Sequence, residues 1–370
     1  MRTSIAYFVT PHGFGHATRA SAVMAAVHAQ HPEWRFEVFT EVPRWVFDES
    51  VTGPFEYHSV CTDVGLAQVS PMVEDLAGTV ARLDALLPFR DGTVRQLAEE
   101  VRRSGCALVL CDIAPMGIAV ARAAGVPSVL IEHFTWDWIY EPYLAAAPAL
   151  QPHREYLRAV VAKADYVVQT EPVCNRRPAH LTTRPVSRTP RVAPAVVRAD
   201  LGIPPGTKAV LLTMGGFDQV SYAFLDQLSA RSDAYFVIPG ATKGEIERRE
   251  HVLLLPDHRS LFHPDLLNAC DVVVGKLGYS TAMETYYAGL PFGYVSRVHL
   301  RESTVLGPYV RERMGGVEIA AGEFADGRWM GRLPELLARP RVAREGPNGA
   351  LEVAAFVGSL LRRTCTAEAW

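Results

Sequence analysis

The chain has 370 residues, and its 49% of hydrophobic residues supply apolar surface for two ordinary cores. Lys and Arg number 37 against 40 Asp and Glu, a net charge of -3, which excludes bulk attraction to a nucleic acid polymer or an anionic membrane and points to a small-molecule partner. The six cysteines, Cys61, Cys106, Cys111, Cys174, Cys270 and Cys365, form no C-x-x-C pair and keep no regular spacing, as expected of reduced thiols in a cytoplasmic protein. The apolar stretch Ile5 to Val9 is too short for the core of a signal peptide, and no uncharged run approaches the ~18 residues of a membrane span.

Strands are predicted at Ile5–Thr10, Arg35–Thr40, Ala107–Cys111, Ser128–Ile131 and Tyr166–Gln169, with helices such as Thr18–His31 and Pro115–Ala124 between most of them. That alternation predicts a parallel sheet covered by helices. The stretch Asn175 to Pro205 carries Pro178, Pro185, Pro190, Pro194, Pro204 and Pro205 with little helical periodicity, and reads as an interdomain linker. The pattern then restarts with strands at Lys208–Thr213, Ala234–Pro239, Val252–Leu255, Asp271–Gly275 and Pro291–Val295. Two α/β Rossmann-like halves follow, without a sequence repeat. Leu351, Ala354, Ala355, Val357, Leu360 and Leu361 give an amphipathic helix over Gly349–Arg363, expected to pack across the domain junction.

The first chemical constellation is Pro11-His12-Gly13-Phe14-Gly15-His16-Ala17-Thr18-Arg19, directly after the first strand and opening a helix. In an open α/β sheet this crest is where ligands bind. Gly13 and Gly15 are followed by Ala17-Thr18 and no third glycine, so the spacing is not a dinucleotide fingerprint. The two glycines let a ligand approach the backbone, and His16 would project toward it. A helix N-terminus lowers a histidine's basicity, so a general base there needs a carboxylate to hold its tautomer. Asp112, ending the strand LVLCD on the same crest, is the candidate. The competing reading makes Asp112 the cap of the helix near Pro115 and His16 a helix-cap residue only.

After a further crest strand, Glu132 is followed by Phe134, Trp136, Trp138, Tyr140 and Tyr143. Rings offer stacking area with little rotamer entropy to lose, which suits a flat or apolar acceptor such as a nucleoside or another heterocycle. A core cluster is the alternative. The segment Thr62 to Phe89 carries few signals and is expected to border the same site.

The richest segment is Gly275-Lys276-Leu277-Gly278-Tyr279-Ser280-Thr281-Ala282-Met283-Glu284, a strand-to-helix turn. Backbone N–H groups at a helix N-terminus and the helix dipole both favour phosphate oxygens there. Ser280 and Thr281 fall in the first turn. Glu284 reads either as a capping partner for that turn or as a carboxylate accepting the two hydroxyls of a ribose.

HGFGHATR (12–19), EHFTWDWIYEPY (132–143), the segment from Pro264 to Arg297, GGVEI (315–319) and NGALEVAAFV (348–357) together resemble the N-terminal, glycosyltransferase-like half of L-arabinokinases. More distantly the chain is similar to nucleotide-sugar glycosyltransferases of the GT-B fold. The likeness spans nearly the whole chain and keeps the motifs in order. A sugar-kinase half is not expected, since no Pro-x-x-x-Gly-Leu-Ser-Ser-Ser phosphate loop is present.

The resemblance implies two Rossmann-like domains facing across a cleft, an acceptor domain over 1–190 and a donor domain over 191–348. The C-terminal helix, 349–370, is expected to cross back to the first. It implies that Glu284 binds ribose and that Gly278, Tyr279, Ser280 and Thr281 hold the diphosphate, with Gly13 and Gly15 approaching it. Lys276 stands where many plant enzymes have a phosphate-contacting histidine. Met214, Gly215 and Gly216 match the turn that approaches the diphosphate, and Leu255, Pro256, Asp257 and His258 match the segment edging the nucleobase. His16 matches the family's base and Asp112 its helper. The acidic-glutamine pair that holds donor-sugar hydroxyls in plant enzymes is replaced by Ser296 to Glu302, making Arg297, His299, Arg301 and Glu302 the donor-sugar candidates.

These readings lead to an inverting, metal-independent transfer from a nucleoside diphosphate sugar, used as co-substrate without a further cofactor, to a small-molecule hydroxyl or amine. Two alternatives stand beside it: a non-catalytic sugar-nucleotide-binding regulatory module, and a nucleotide-sugar epimerase or hydrolase on the same scaffold.

Overall fold

The computed structural model describes residues 3–70, 72–215, 222–256, 261–344 and 346–367, with side chains through Arg362 in the last helix. The chain divides into two compact units, Met1–Ser187 with Pro347–Trp370, and Arg188–Gly346.

The first unit opens with β1 (Ser4–Val9), α1 (Gly15–Gln30), β2 (Arg35–Thr40), α2 (Trp45–Asp48) and β3 (Phe55–Ser59). A short ribbon of β4 (Gln68–Ser70) and β5 (Val73–Glu74) precedes α3 (Leu76–Leu86) and α4 (Asp91–Arg103). Then follow β6 (Cys106–Asp112), α5 (Pro115–Ala124), β7 (Ser128–Glu132), α6 (Trp136–Tyr140), α7 (Leu150–Val161), β8 (Tyr166–Thr170) and β9 (Leu181–Thr183).

The sheet order is β3-β2-β1-β6-β7-β8-β9, and every pairing is parallel. From β1 the chain adds strands to one side through β2 and β3, and to the other through β6. The β1/β6 junction is therefore the topological switch point, where strand-end loops diverge and leave room for a ligand. Val9 pairs with Asp112 across it, setting the residues after β1 beside the end of β6.

The second unit contains α8 (Pro194–Asp200), β10 (Ala209–Thr213), α9 (Leu225–Ser229), β11 (Tyr235–Thr242), β12 (Glu247–Arg249) and β13 (Val252–Pro256). It continues through α10 (His263–Ala269), β14 (Val272–Lys276), α11 (Tyr279–Ala288), β15 (Phe292–Val295), α12 (Ser303–Met314), β16 (Val317–Glu318), α13 (Ala321–Ala325) and α14 (Leu333–Ala338). Its order is β12-β13-β11-β10-β14-β15-β16, parallel except for the β12–β13 pair. The same logic puts its switch point at β10/β14, where Thr213 pairs with Gly275.

The last helix, α15 (Gly349–Ala367), belongs to the first unit. Its Val353, Ala354, Val357, Leu360 and Leu361 join Ala17, Val23 and Val27 of α1 in one buried cluster. A Cβ at Gly349 would lie 2.0 Å from the Arg184 carbonyl oxygen, so the helix start presses directly on the chain leaving β9. Glu352 ties the same place by accepting from the Arg184 backbone N–H at 2.8 Å.

The proline-rich stretch is more structured than its composition suggests. Leu181–Thr183 is an edge strand of the first sheet, Pro194–Asp200 is a helix of the second unit, and the division falls between Ser187 and Arg188. Pro194 sits in the first turn of that helix, where its missing N–H costs nothing.

Candidate functional site

At the first switch point, His16 Nδ1 lies 2.9 Å from Asp112 Oδ1. His16 stands in the first turn of α1 and Asp112 is the last residue of β6, the latter fully buried. Because the hydrogen bond uses Nδ1 as donor to a carboxylate, the imidazole lone pair is directed to Nε2. Asp112 does not cap α5: that helix has Ala114 at its N-cap and no side-chain cap. The capping reading of Asp112 is thus corrected, because the carboxylate is already engaged by two side chains, His16 and a second one.

The second of those is Arg19, which sequence reasoning did not assign. Its Nε and Nη2 donate to Asp112 Oδ2 and Oδ1 at 2.8 and 2.6 Å, a two-pronged grip on a carboxylate. Nη1 reaches His133 Nδ1 at 2.5 Å, and Nη2 also lies 3.3 Å from His16 Nδ1. Burial pushes the Asp112 carboxyl up, but the charge of Arg19 and the hydrogen bonds from His16 and Arg19 outweigh it and hold the group below its ordinary value. The spacing carried the signal: residues three apart on a helix share a face, so His16 and Arg19 both meet whatever stands at the end of β6.

Asp63 is a second unassigned carboxylate here. It is buried, with Thr10 donating to one oxygen and Trp136 Nε1 to the other at 3.1 Å. Burial, opposed by those two hydrogen bonds and aided by the Asp112 charge, lifts it to about 7.

The aromatic candidates form the layer around His16. Phe134 meets it edge-on at 5.8 Å between centroids, Trp136 lies 6.3 Å away, and Trp136 stacks on Tyr140 at 6.0 Å. Phe134, Trp136 and Tyr140 are buried, and Tyr140 donates to the Gly65 carbonyl at 2.6 Å, while Trp138 is half-buried. Glu132 stands apart from this layer: it accepts from Arg177 Nε at 2.6 Å and Gln169 Nε2 at 3.2 Å. Gly13 has φ +67 and open space where a Cβ would project, and Gly15 begins α1.

In the second unit, the β10/β14 switch point gathers most of the donor candidates. Gly215 follows β10 at φ +75, a left-handed conformation that favours glycine, and Lys276 Nζ lies 3.3 Å from where its Cβ would stand. Gly278 is the N-cap of α11 without any side-chain cap, and a Cβ there would meet nothing within 4 Å. Ser280 and Thr281 occupy the first turn. Tyr279 packs its ring into the core of the unit. Pro256 ends β13 half-buried; Gly216, Asp257 and His258 lie outside the described residues.

Glu284 is buried, with 5% of its surface exposed. Its Oε1 accepts from Arg188 Nε at 2.9 Å and its Oε2 pairs with His263 Nδ1 at 2.7 Å, so its carboxylate is engaged by these two side chains and does not cap α11. Burial would raise this carboxyl; the charge of Arg188 and the bond and charge of His263 reverse that and lower it to about 2. Neither partner had been singled out from sequence.

Of the donor-sugar candidates, Arg297 and Glu302 are buried and pair at 3.6 Å, Arg301 is half-buried, and His299 is exposed. Burial and the neighbouring charge of Arg297, partly offset by Glu302, lower the Lys276 ammonium to about 7.

Cys61, Cys106, Cys111, Cys174 and Cys270 are free thiols, and among the described residues no helix is long and apolar enough to cross a membrane. No family model matches the sequence. The chain is 28% identical over 367 residues to an L-arabinokinase of Arabidopsis thaliana, covering 95% of this chain and 34% of that protein. It thus spans about a third of the length of this curated relative. Among solved structures it is similar to glycosyltransferase VinC in complex with DTDP, with a TM-score of 0.63 at 15% identity over 97% of this chain and 99% of the other. Spinosyn forosaminyltransferase SpnP gives a TM-score of 0.61 at 18% identity over 96% and 94%. The calicheamicin glycosyltransferase CalG4 gives 0.61 at 14% identity over 100% and 98%. The chain has the GT-B fold, and its neighbours in structure are glycosyltransferases.

Proposed function

We propose that the chain transfers a glycosyl group, with inversion, from a nucleoside diphosphate sugar to a hydroxyl or amine of a small cytoplasmic acceptor. The observation that carries this reading is the 2.9 Å contact between His16 Nδ1 and a fully buried Asp112. His16 Nε2 takes the acceptor proton as the acceptor atom forms its bond to the anomeric carbon. The bond from that carbon to the diphosphate oxygen breaks, and the nucleoside diphosphate leaves with the electron pair. Asp112 orients the imidazole and stabilises the imidazolium as it forms.

Negative charge grows on the departing diphosphate, so donors already in place there lower the barrier most. The N-terminus of α11 with Gly278, Ser280 and Thr281, the Gly215 turn and Lys276 supply them, and the reading therefore needs no metal. Glu284 retains acceptor capacity for ribose hydroxyls, since a carboxylate has about four lone-pair sites and Arg188 and His263 take two. The layer of Phe134 and Trp136 beside His16 suits a flat, apolar acceptor.

The test is product analysis with a panel of uridine and thymidine diphosphate sugars and aromatic or heterocyclic acceptors. A glycosylated acceptor is the expected product. Free or altered sugar without it would indicate hydrolysis or epimerisation, and binding without turnover across the panel would indicate a regulatory module.

A further inference from the structure

Between β3 and β4 runs the segment 62–67, and Asp63 is its only charged residue and is buried. Its two oxygens accept from neutral donors on separate elements. Thr10, directly after β1, donates to Oδ1, and Trp136 Nε1, at the start of α6, donates to Oδ2 at 3.1 Å. Burying a carboxyl among neutral groups is costly, but its paired oxygens let one side chain hold two donors at once.

The rest of the segment is pinned to the same two places. Thr62 donates to the Val9 carbonyl at 2.8 Å, Tyr140 to the Gly65 carbonyl at 2.6 Å, and the Leu66 N–H to His12 Nδ1 at 3.3 Å. Gly65 has φ +65, and a Cβ there would lie 2.6 Å from that of His12, so the backbone passes directly against this histidine. Trp136 in turn meets His12 edge-on at 5.0 Å and lies 6.3 Å from His16. Asp63 is therefore bonded both to the stretch that delivers His16 and to the ring layer beside it.

We propose that Asp63 is a positioning residue for the transfer: through Thr10 and Trp136 it fixes the His12–His16 loop and the indole relative to each other, and so sets where an acceptor lies against His16 Nε2. The inference rests on the reading of His16 as the base. Both Asp63 oxygens are engaged inside the protein, so it acts through these neighbours and not on substrate. The effect is large for a remote group because a displacement of about 1 Å at the reacting atoms can cost ~10²-fold in rate.

Steady-state transfer by wild type, Asp63→Ala, Asp63→Asn and Thr10→Val, with nucleotide Kd measured on each, tests this. Asp63→Ala leaves both donors unmatched and is expected to lower kcat/KM for the acceptor by roughly 10- to 100-fold with nucleotide Kd unchanged. Asp63→Asn keeps two polar atoms in place and should recover most of that loss. A lower Tm in Asp63→Ala with wild-type kcat/KM per folded molecule would make the residue merely structural and overturn the proposal, as would Asp63→Asn no better than Asp63→Ala. If Asp63→Ala does not fold, Thr10→Val, which removes one donor at nearly constant shape, decides: a reduced acceptor kcat/KM upholds the proposal and an unchanged one overturns it. If wild type transfers to no acceptor, the transfer reading fails separately. The imidazole nitrogen NMR signals of His16, assigned with His16→Ala, then decide at pH 6, where the Asp63 carboxyl is protonated and neutral like the amide. Signals moved by Asp63→Ala and held at the wild-type position by Asp63→Asn uphold the positioning role; signals unmoved in Asp63→Ala overturn it.

Discussion

Arg19 grips Asp112 with two hydrogen bonds, 2.8 Å from Nε to Oδ2 and 2.6 Å from Nη2 to Oδ1, while His16 shares Oδ1. Asp112 thus divides its charge between Arg19 and His16, fixing the orientation and tautomer of the imidazole while Arg19 keeps the carboxylate ionised.

Arg19→Met leaves a buried carboxylate without its main cation, and loss of one partner of a buried pair typically costs about 3–5 kcal/mol. Chemical denaturation is expected to show a loss of that order, with partial recovery in Arg19→Lys, which restores charge but not the planar fork. Because Asp112 is held below its ordinary value, its stabilisation is present above the unfolded carboxyl range and is lost as pH falls through the folded value. Without Arg19 the carboxyl rises, so the acid limb of kcat/KM shifts to higher pH. An unmoved profile would make Arg19 purely structural.

Glu284, lowered to about 2 from an ordinary 4.5, stabilises the folded state above that ordinary value and loses the contribution as pH drops toward 2. The linkage is worth about 3 kcal/mol. Urea midpoints for Glu284→Gln should accordingly lie below wild type at pH 6 and approach it near pH 2. The same substitution should weaken nucleotide binding if the carboxylate accepts ribose hydroxyls.

Asp63 has the opposite sign. Its carboxyl is raised to about 7, so the protonated form contributes stability below the unfolded value near 3.8, and that contribution is lost as pH rises through 7. An amide keeps an oxygen for Trp136 Nε1 and offers an N–H to the Thr10 hydroxyl. Asp63→Asn should then be more stable than wild type at pH 8 by roughly 2–4 kcal/mol and show a flatter pH dependence of unfolding between pH 4 and 8. Equal slopes would contradict the assignment.

Burial, and after it the charge of Arg297, lower the Lys276 ammonium to about 7 against an ordinary 10.5, with Glu302 opposing them. Below 7 both folded and unfolded states carry the proton; between 7 and 10.5 the unfolded state binds it preferentially, so stability climbs over that window. An anion favours the charged form, and nucleotide binding at pH 8 should therefore take up a proton. Calorimetry in buffers of different ionisation enthalpy measures this directly, and Lys276→Met should abolish it.

The sheets were readable because buried parallel strands are continuous apolar runs: YFV, LVLC and VVV could hardly be anything else. Edge strands were not. Phe55–Ser59 alternates in polarity, Leu181–Thr183 has three residues among prolines and arginines, and Val317–Glu318 has two. Their pairing comes from the neighbouring strand rather than from their own composition. His16 and Asp112 were legible because both close crest strands or open the helix after one. Arg188 and His263 were not, since they reach Glu284 from 96 and 21 residues away with no motif to announce them. Asp63 lies in a loop whose sequence carries no periodic signal, and only the burial of Trp136 against it reveals its place.

The central claim is that His16 is the base of a glycosyl transfer whose donor is held elsewhere in the chain. Product formation by wild type and His16→Ala, measured at saturating donor and paired with nucleotide Kd, tests it most directly. A fall in turnover of ~10²–10⁴ with Kd unchanged is the predicted result. Turnover by His16→Ala at the wild-type rate would contradict it.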